Sequence, residues 1–222
     1  MMEEIDKFFK NDEDAFYINE SGKKCFRGVR FPEDTIRKDK AKQQAKLPVV
    51  PYNEIFTYVN EFLELIRLNG GFQEKNVMQK SIKLDGIEQE ILSNGLIAKN
   101  CNWVLPIFDK KKWKYTFYDK KYEVIKEEFN LLDAKDIVWL KFTKTGKLCV
   151  VAKSFDINFN KDNSCGILVD EVEEELDESF VFIFPLTSEI KKNYENGQIE
   201  LGIGNYLISK NVPIIDYYSH NN

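Results

Sequence analysis

Apolar residues are spaced along this chain in three ways, and each spacing predicts a different element. Between residues 53 and 68, Ile55, Val59, Phe62 and Ile66 recur at helical spacing, with Phe56 and Leu63 widening the stripe. An amphipathic helix is predicted there, with Glu54 in its first turn and Asn69-Gly70-Gly71 at its end. Over 136–142, Val138, Leu140 and Phe142 alternate with Ile137, Trp139 and Lys141, and Thr143-Lys144-Thr145-Gly146 leads into a second apolar run over 147–153. That pattern predicts an antiparallel hairpin. Residues 180–186 are a continuous apolar and aromatic run, of a length and character that fit a strand buried on both faces.

Weaker patterns fill in the rest. Residues 15–18 and 25–31 read as strands around a turn at 19–22, and 102–108 and 113–118 read as two more. Asp85 and Glu88 make a capping signal for a helix over 86–93, closed by Asn94-Gly95. Val169, Val172 and Leu176 at i, i+3 and i+7 predict a helix across the acidic stretch 169–178. A helix is also predicted just after Asn196-Gly197, followed by the apolar run Val212-Pro213-Ile214-Ile215. Strand, helix and strand in that order imply a parallel pair joined by a right-handed crossover. The expected fold class is therefore α+β with a mixed sheet: a C-terminal Rossmann-like βαβ unit, an antiparallel hairpin and N-terminal helices. The division is a mixed region over 1–135 and a C-terminal region over 136–222, or one continuous domain.

Composition narrows the function classes. At 222 residues, with 43% hydrophobic and 14% aromatic content, the chain has enough apolar surface to fold around a proper core. A formal charge of −5 argues against the whole molecule being an electrostatic nucleic-acid binder, and leaves only local patches for that role. One such patch is the segment 23–46, with nine Lys and Arg residues against Glu33, Asp34 and Asp39. It reads either as a phosphate grip or, more simply, as a solvated loop or helix face. A second is 110–121, where lysines surround Trp113, Tyr115 and Phe117. Such a strand can present stacking rings to single-stranded nucleic acid, but alternation equally sends rings to a core and lysines to water, which is the reading we prefer.

Four scattered cysteines (Cys25, Cys101, Cys149, Cys165) and a single histidine, His220, offer no zinc-ligand spacing. The acids of 169–178 fan outward on a helix instead of converging, so neither a metal nor a cofactor is expected. Residues 1–6 are acidic where a signal peptide is basic, and no long apolar segment follows. A cytoplasmic protein with reduced thiols and no membrane contact is expected. The abundance of Lys, Asn, Ile, Phe and Tyr points to an AT-rich bacterial or phage genome.

In an open parallel sheet, ligands collect at the carboxyl ends of the strands. Thr187, Ser188, Glu189 and Asp216 are the candidate ligand contacts on that rule. Gly197, in the break before the next helix, and Gly202 are further candidate ligand contacts; Gly202 and Gly204 inside that helix cost about 1 kcal/mol each relative to alanine, which suggests close approach of the helix to sheet or ligand. Glu200 is expected in the first turn of the same helix, near its exposed amides. The strand over 180–186, Gly197, Glu200 with Gly202 two positions on, and the proline-containing run 212–215 resemble the last βαβ unit of the nucleoside 2-deoxyribosyltransferase-like family and its nucleotide-handling Rossmannoid relatives. The resemblance implies nucleotide or nucleoside recognition, with Glu200 as nucleophile or acid/base on an N-glycosidic bond. A carboxylate suits that role because cleavage passes through an oxocarbenium-like state.

The residues by themselves leave other readings open. Glu200 can be an ordinary helix residue and the glycines packing devices. The chain can be a non-catalytic accessory or immunity-type interaction protein, using its acidic and lysine-rich segments as contact surfaces. A third reading takes Glu189-Ile190-Lys191, with Asp170 or Asp177, as a Mg²⁺-dependent nuclease centre. Asp216 and His220 form a further carboxylate–imidazole pair.

Overall fold

The computed structural model of the protein describes residues 2–11, 13–27, 36–70, 88–92, 95–99, 107–109, 114–116, 137–154, 163–186 and 193–217. Along these run α1 (Met2–Asp6), a 3-10 turn (Lys7–Phe9), β1 (Phe16–Ile18), β2 (Lys24–Phe26), α2 (Ile36–Ala45) and α3 (Tyr52–Asn69). Then come β3 (Glu88–Leu92), β4 (Gly95–Lys99), β5 (Ile107–Asp109), β6 (Lys114–Thr116), β7 (Ile137–Thr143) and β8 (Leu148–Ser154). The described chain closes with α4 (Asn163–Glu171), β9 (Leu176–Pro185) and α5 (Asn196–Ser209). Five strands make one sheet in the order β3-β4-β9-β7-β8, each antiparallel to its neighbour, while β1–β2 and β5–β6 are separate two-stranded ribbons. The fold class is α+β.

The hairpin predicted from period-two alternation forms as β7 and β8, with Val138 opposite Lys153 and Leu140 opposite Val151. Its turn is closed by Gly146 at φ +89°, where any side chain would be strained. Alternation sends Val138, Leu140 and Phe142 to the same face as Val151, Phe182 and Phe184, and α3 and α5 complete that core. Helix α3 matches its predicted stripe: Ile55, Phe56, Val59, Phe62, Leu63 and Ile66 are all buried. Its rings lock onto the sheet edge-on, Tyr52 to Phe142 at 4.9 Å and Phe56 to Phe182 at 5.1 Å between centroids. Trp139, Lys141, Val150 and Ala152 lie on the opposite face and are buried as well. Ile5 and α3 share one core cluster with β7, β8, β9 and α5, so residues on both sides of position 135 build it together.

Three predicted elements take a different form. The C-terminal unit is not a Rossmann-like adjacent parallel pair, because both neighbours of β9, β4 and β7, run antiparallel to it. Ile214 does return parallel to β9, but on the far side of β7 and β8, through a single bridge to Leu148. A helical crossover fixes the direction in which the chain comes back; the sheet position depends on which strand edges are taken, and both edges of β9 are occupied, by β4 and β7. The helix predicted over 86–93 is in part strand β3, with Leu92 opposite Gly95 of β4. Ladder pairing with β4 overrides the capping signal. The acidic helix predicted over 169–178 ends at Glu171; Glu173 takes a left-handed φ of 56° and the chain enters β9 at Leu176. The hairpin turn competes for these acids, Lys144 N–H donating to the Glu175 carbonyl at 2.8 Å.

Candidate functional site

Helix α5 carries the residue on which the chemistry was expected to turn. Gln198 reaches back to accept from the Glu195 N–H at 2.9 Å, so the helix starts at Asn196, two residues earlier than expected, and Glu200 falls just beyond its first turn. Every residue from Ile199 to Gly204 is buried. Glu200 is only 4% exposed, and its carboxylate accepts from the backbone N–H of Lys153 at 3.2 Å, with the Lys153 ammonium 4.0 Å away. Strand β8 is the last in the sheet, and an outer strand needs its free backbone groups satisfied or shielded. Glu200 does this at one end. At the other, the Leu148 and Cys149 carbonyls accept from Ile215 N–H at 3.0 Å and Asp216 N–H at 2.8 Å. Glu200 thus acts as a side-chain cap on a sheet edge.

Asp216 is fully buried, and its carboxylate accepts from the Arg37 guanidinium at 2.9 Å (Nε) and 2.5 Å (Nη2). Arg37 itself is 4% exposed and also donates to the Arg27 carbonyl at 3.2 Å. This pair pins α2 against the chain beyond α5, assisted by the Gln44 side chain accepting from Ile214 N–H at 3.2 Å. Arg37, Ala41 and Gln44 lie at i, i+4 and i+7, one inward face of α2. Sequence reading missed that face because none of the three is a large apolar residue; the spacing of a lone arginine with a small residue was the only signal.

The two carboxylates do not converge. Lys153 is level with Val138 and Phe184 across the sheet, beside the exit of β9, so Glu200 sits at that end. Asp216 is held at Cys149, four residues back along β8 and roughly 13 Å away at strand spacing. Thr187, Ser188 and Glu189 lie outside the described residues, as do Ile190, Lys191 and His220. Gly197 sits beside Lys153, whose ammonium lies 2.9 Å from where a Cβ would be. Gly202 faces α3: a Cβ there would meet Phe62 at 2.4 Å and Phe9 at 2.9 Å. Its bare Cα is needed for helix packing.

No protein-family model, curated protein or solved structure matches this chain. The candidate chemistry therefore rests on this chain's own geometry. Among the described residues no three His, Cys, Asp or Glu side chains group as a metal site. No helix in them is long and apolar enough to cross a membrane.

The charged segments singled out by sequence meet one another. Lys38 and Lys42 of α2 bind Glu171 at 3.0 and 2.8 Å, Lys147 binds Glu174 at 2.6 Å, and Lys144 binds Glu175 at 2.5 Å. Hydrogen bonds from Lys42 and Lys38 hold the Glu171 carboxyl below its ordinary value of 4.5. Burial pushes Glu174 up, but hydrogen bonds from Lys147 and Thr145 bring its net shift down, and Lys144 lowers Glu175. All three folded values lie below the unfolded one, so their contribution is present above pH 4.5 and is lost as pH falls through the folded values. Urea midpoints measured between about pH 6 and pH 3 should drop toward acid, and the drop should be shallower in Glu171→Gln/Glu174→Gln/Glu175→Gln. Equal slopes in both proteins would mean these contacts carry no linkage.

Proposed function

We infer that this chain acts by binding another macromolecule and not by catalysis at its C-terminal end. One observation carries the reading: the two carboxylates that sequence offered for chemistry are used by the fold, Asp216 by Arg37 and Glu200 by Lys153, whose backbone N–H donates to Oε1 and whose ammonium lies 4.0 Å from Oε2. A nucleophile or general base has to present its carboxylate to a substrate, and a carboxylate held by an internal donor gives up stability to do so. The free, buried thiol of Cys149 suits a reducing cytoplasm.

Nucleotide or nucleoside recognition, with Glu200 cleaving an N-glycosidic bond, is the second reading. It is favoured by the place of Glu200 level with the exit of β9 and by the Lys153 ammonium 4.0 Å from its carboxylate. Incubating wild type and Glu200→Gln with nucleosides, nucleotides and NAD⁺ separates the two. The binding reading expects no released base from either protein and no rise in Tm with any of these ligands. Glutamine keeps an acceptor for Lys153 N–H, so its stability should stay within about 1 kcal/mol of wild type. Turnover by wild type that Glu200→Gln abolishes would overturn the binding reading and restore the glycosidase one.

A further inference from the structure

The connection between α2 and α3 contains five consecutive apolar residues, Leu47-Pro48-Val49-Val50-Pro51. The core uses its inner side: Val50 and Tyr52 pack against the buried cluster, and Val49 lies within 3.4 Å of where a Gly146 Cβ would stand. The outer side stays in water. Leu47 and Val49 are each 46% exposed, and Pro48 and Pro51 are exposed beside them. Among the described residues, this one stretch holds two of the five exposed large apolar side chains. Polar residues would serve a connector as well, and a run of exposed apolar ones is a liability unless a partner covers it.

The backbone of the stretch dictates what kind of partner fits. Each proline ring holds its own φ near about −65° and pushes the residue before it, Leu47 or Val50, into extended conformations. Pro51 has φ −57° and ψ 143°, which is polyproline II geometry. With three residues per turn, Pro48 and Pro51 fall on one ridge, roughly 9 Å apart. Both ends are fixed. Leu47 N–H donates to the Gln44 carbonyl at 3.1 Å, and the Pro51 carbonyl accepts from Glu54 N–H at 3.0 Å and Ile55 N–H at 3.1 Å. A strap already held in its bound shape loses little entropy on docking. Prolines three apart on such a ridge fit a groove walled by aromatic rings, and the exposed Lys46 at one end matches an acidic residue on the rim.

We propose that residues 46–51 are a recognition strap whose Pro48–Pro51 ridge docks into an aromatic-lined groove, acidic at one end, on a partner protein. The proposal rests on the binding reading above and gives it a surface and a partner chemistry. No part of the fold has to open for docking, because the ridge already faces solvent.

The test titrates the full chain against a panel of purified Src-homology 3 and WW domains, which read polyproline II ridges with aromatic grooves. At least one should bind wild type with a micromolar Kd, and the amide shifts of Leu47, Val49 and Val50 should move most in an NMR titration. Pro48→Ala/Pro51→Ala should weaken that binding at least about tenfold while staying folded, its Tm lower by roughly 5 °C at most. Lys46→Glu should weaken it severalfold, and less so at high salt. A panel that ignores wild type, or a folded Pro48→Ala/Pro51→Ala protein that binds as wild type does, would overturn the proposal. A silent panel, with a single-stranded oligonucleotide bound by wild type and lost in Lys46→Glu, would assign the strap to nucleic acid and equally overturn the groove. Domain binding and nucleoside turnover are separate readouts, so failure of the strap is distinguishable from failure of the binding reading.

Discussion

Asp216→Ala should destabilise the protein by about 3–5 kcal/mol, because it strands a buried guanidinium without its carboxylate. Arg37 is 4% exposed and Asp216 is fully buried, so water cannot replace the lost partner without opening the contact between α2 and the chain beyond α5. For a chain of this length the fall in Tm should be roughly 10 °C. Arg37→Ala should cost a comparable amount from the other side, with about 1 kcal/mol more for the lost bond to the Arg27 carbonyl. The pair Arg37→Met/Asp216→Leu should recover most of the loss, since exchanging a buried ion pair for apolar residues of similar volume is often neutral. Thermal unfolding of these four proteins measures the losses and the recovery, and adding Arg37→Ala/Asp216→Ala closes a double-mutant cycle on the pair. Single variants that melt with wild type would mean that the pair is solvated in solution and α2 is not held by it.

Gly202→Ala should be destabilising by about 1–3 kcal/mol, although alanine is the better helix former by about 1 kcal/mol. The added Cβ would stand 2.4 Å from Phe62 Cζ, 2.8 Å from Phe62 Cε1 and 2.9 Å from Phe9 Cε1. The Phe62 ring is fully buried and has Phe8, Phe9 and Tyr206 around it, so it has nowhere to move. Phe62→Leu in the same chain should relieve the clash, making the double variant less impaired than the sum of the two single changes. A wild-type Tm for Gly202→Ala would show that α5 stands further from α3 than this packing requires. The same substitution separates two roles of the glycine: a packing device fails without any ligand present, whereas a ligand contact fails only when ligand is added.

Glu200 shows where reading of the site stopped. Its position near a helix start was legible, because Asn196-Gly197 and Gln198 are local signals. That its carboxylate would serve the Lys153 amide was not, because the partner is 47 residues away and is a backbone group, identical at every position of the sequence. Asp216 follows the apolar run 212–215, and its carboxylate is held by Arg37. Its partner, Arg37, is 179 residues away, inside a segment whose many lysines made it look uniformly solvated. Charge composition averages over a segment, while burial selects one residue on one face.

The sequence by itself determined the elements whose signal repeats within a few residues: the stripe of α3, the alternation and glycine turn of β7 and β8, and the apolar run of β9. These patterns survive because each apolar face has to be buried wherever the element ends up. Tertiary structure decided everything that depended on a remote partner. Strand neighbours are chosen by which sheet edges remain open, so β9 pairs with β4 and β7, and the returning chain at Ile214 reaches only β8. A hairpin ladder with β4, itself held by the distant β9, overrode the local cap and turned residues 88–92 into β3, and the lysines of the β7–β8 turn drew Glu174 and Glu175 away from a helix. The use of Glu200 and Asp216 follows from the same cause. A buried carboxylate takes whatever donor the packed fold supplies, because leaving it without one costs more than any role the sequence pattern suggests.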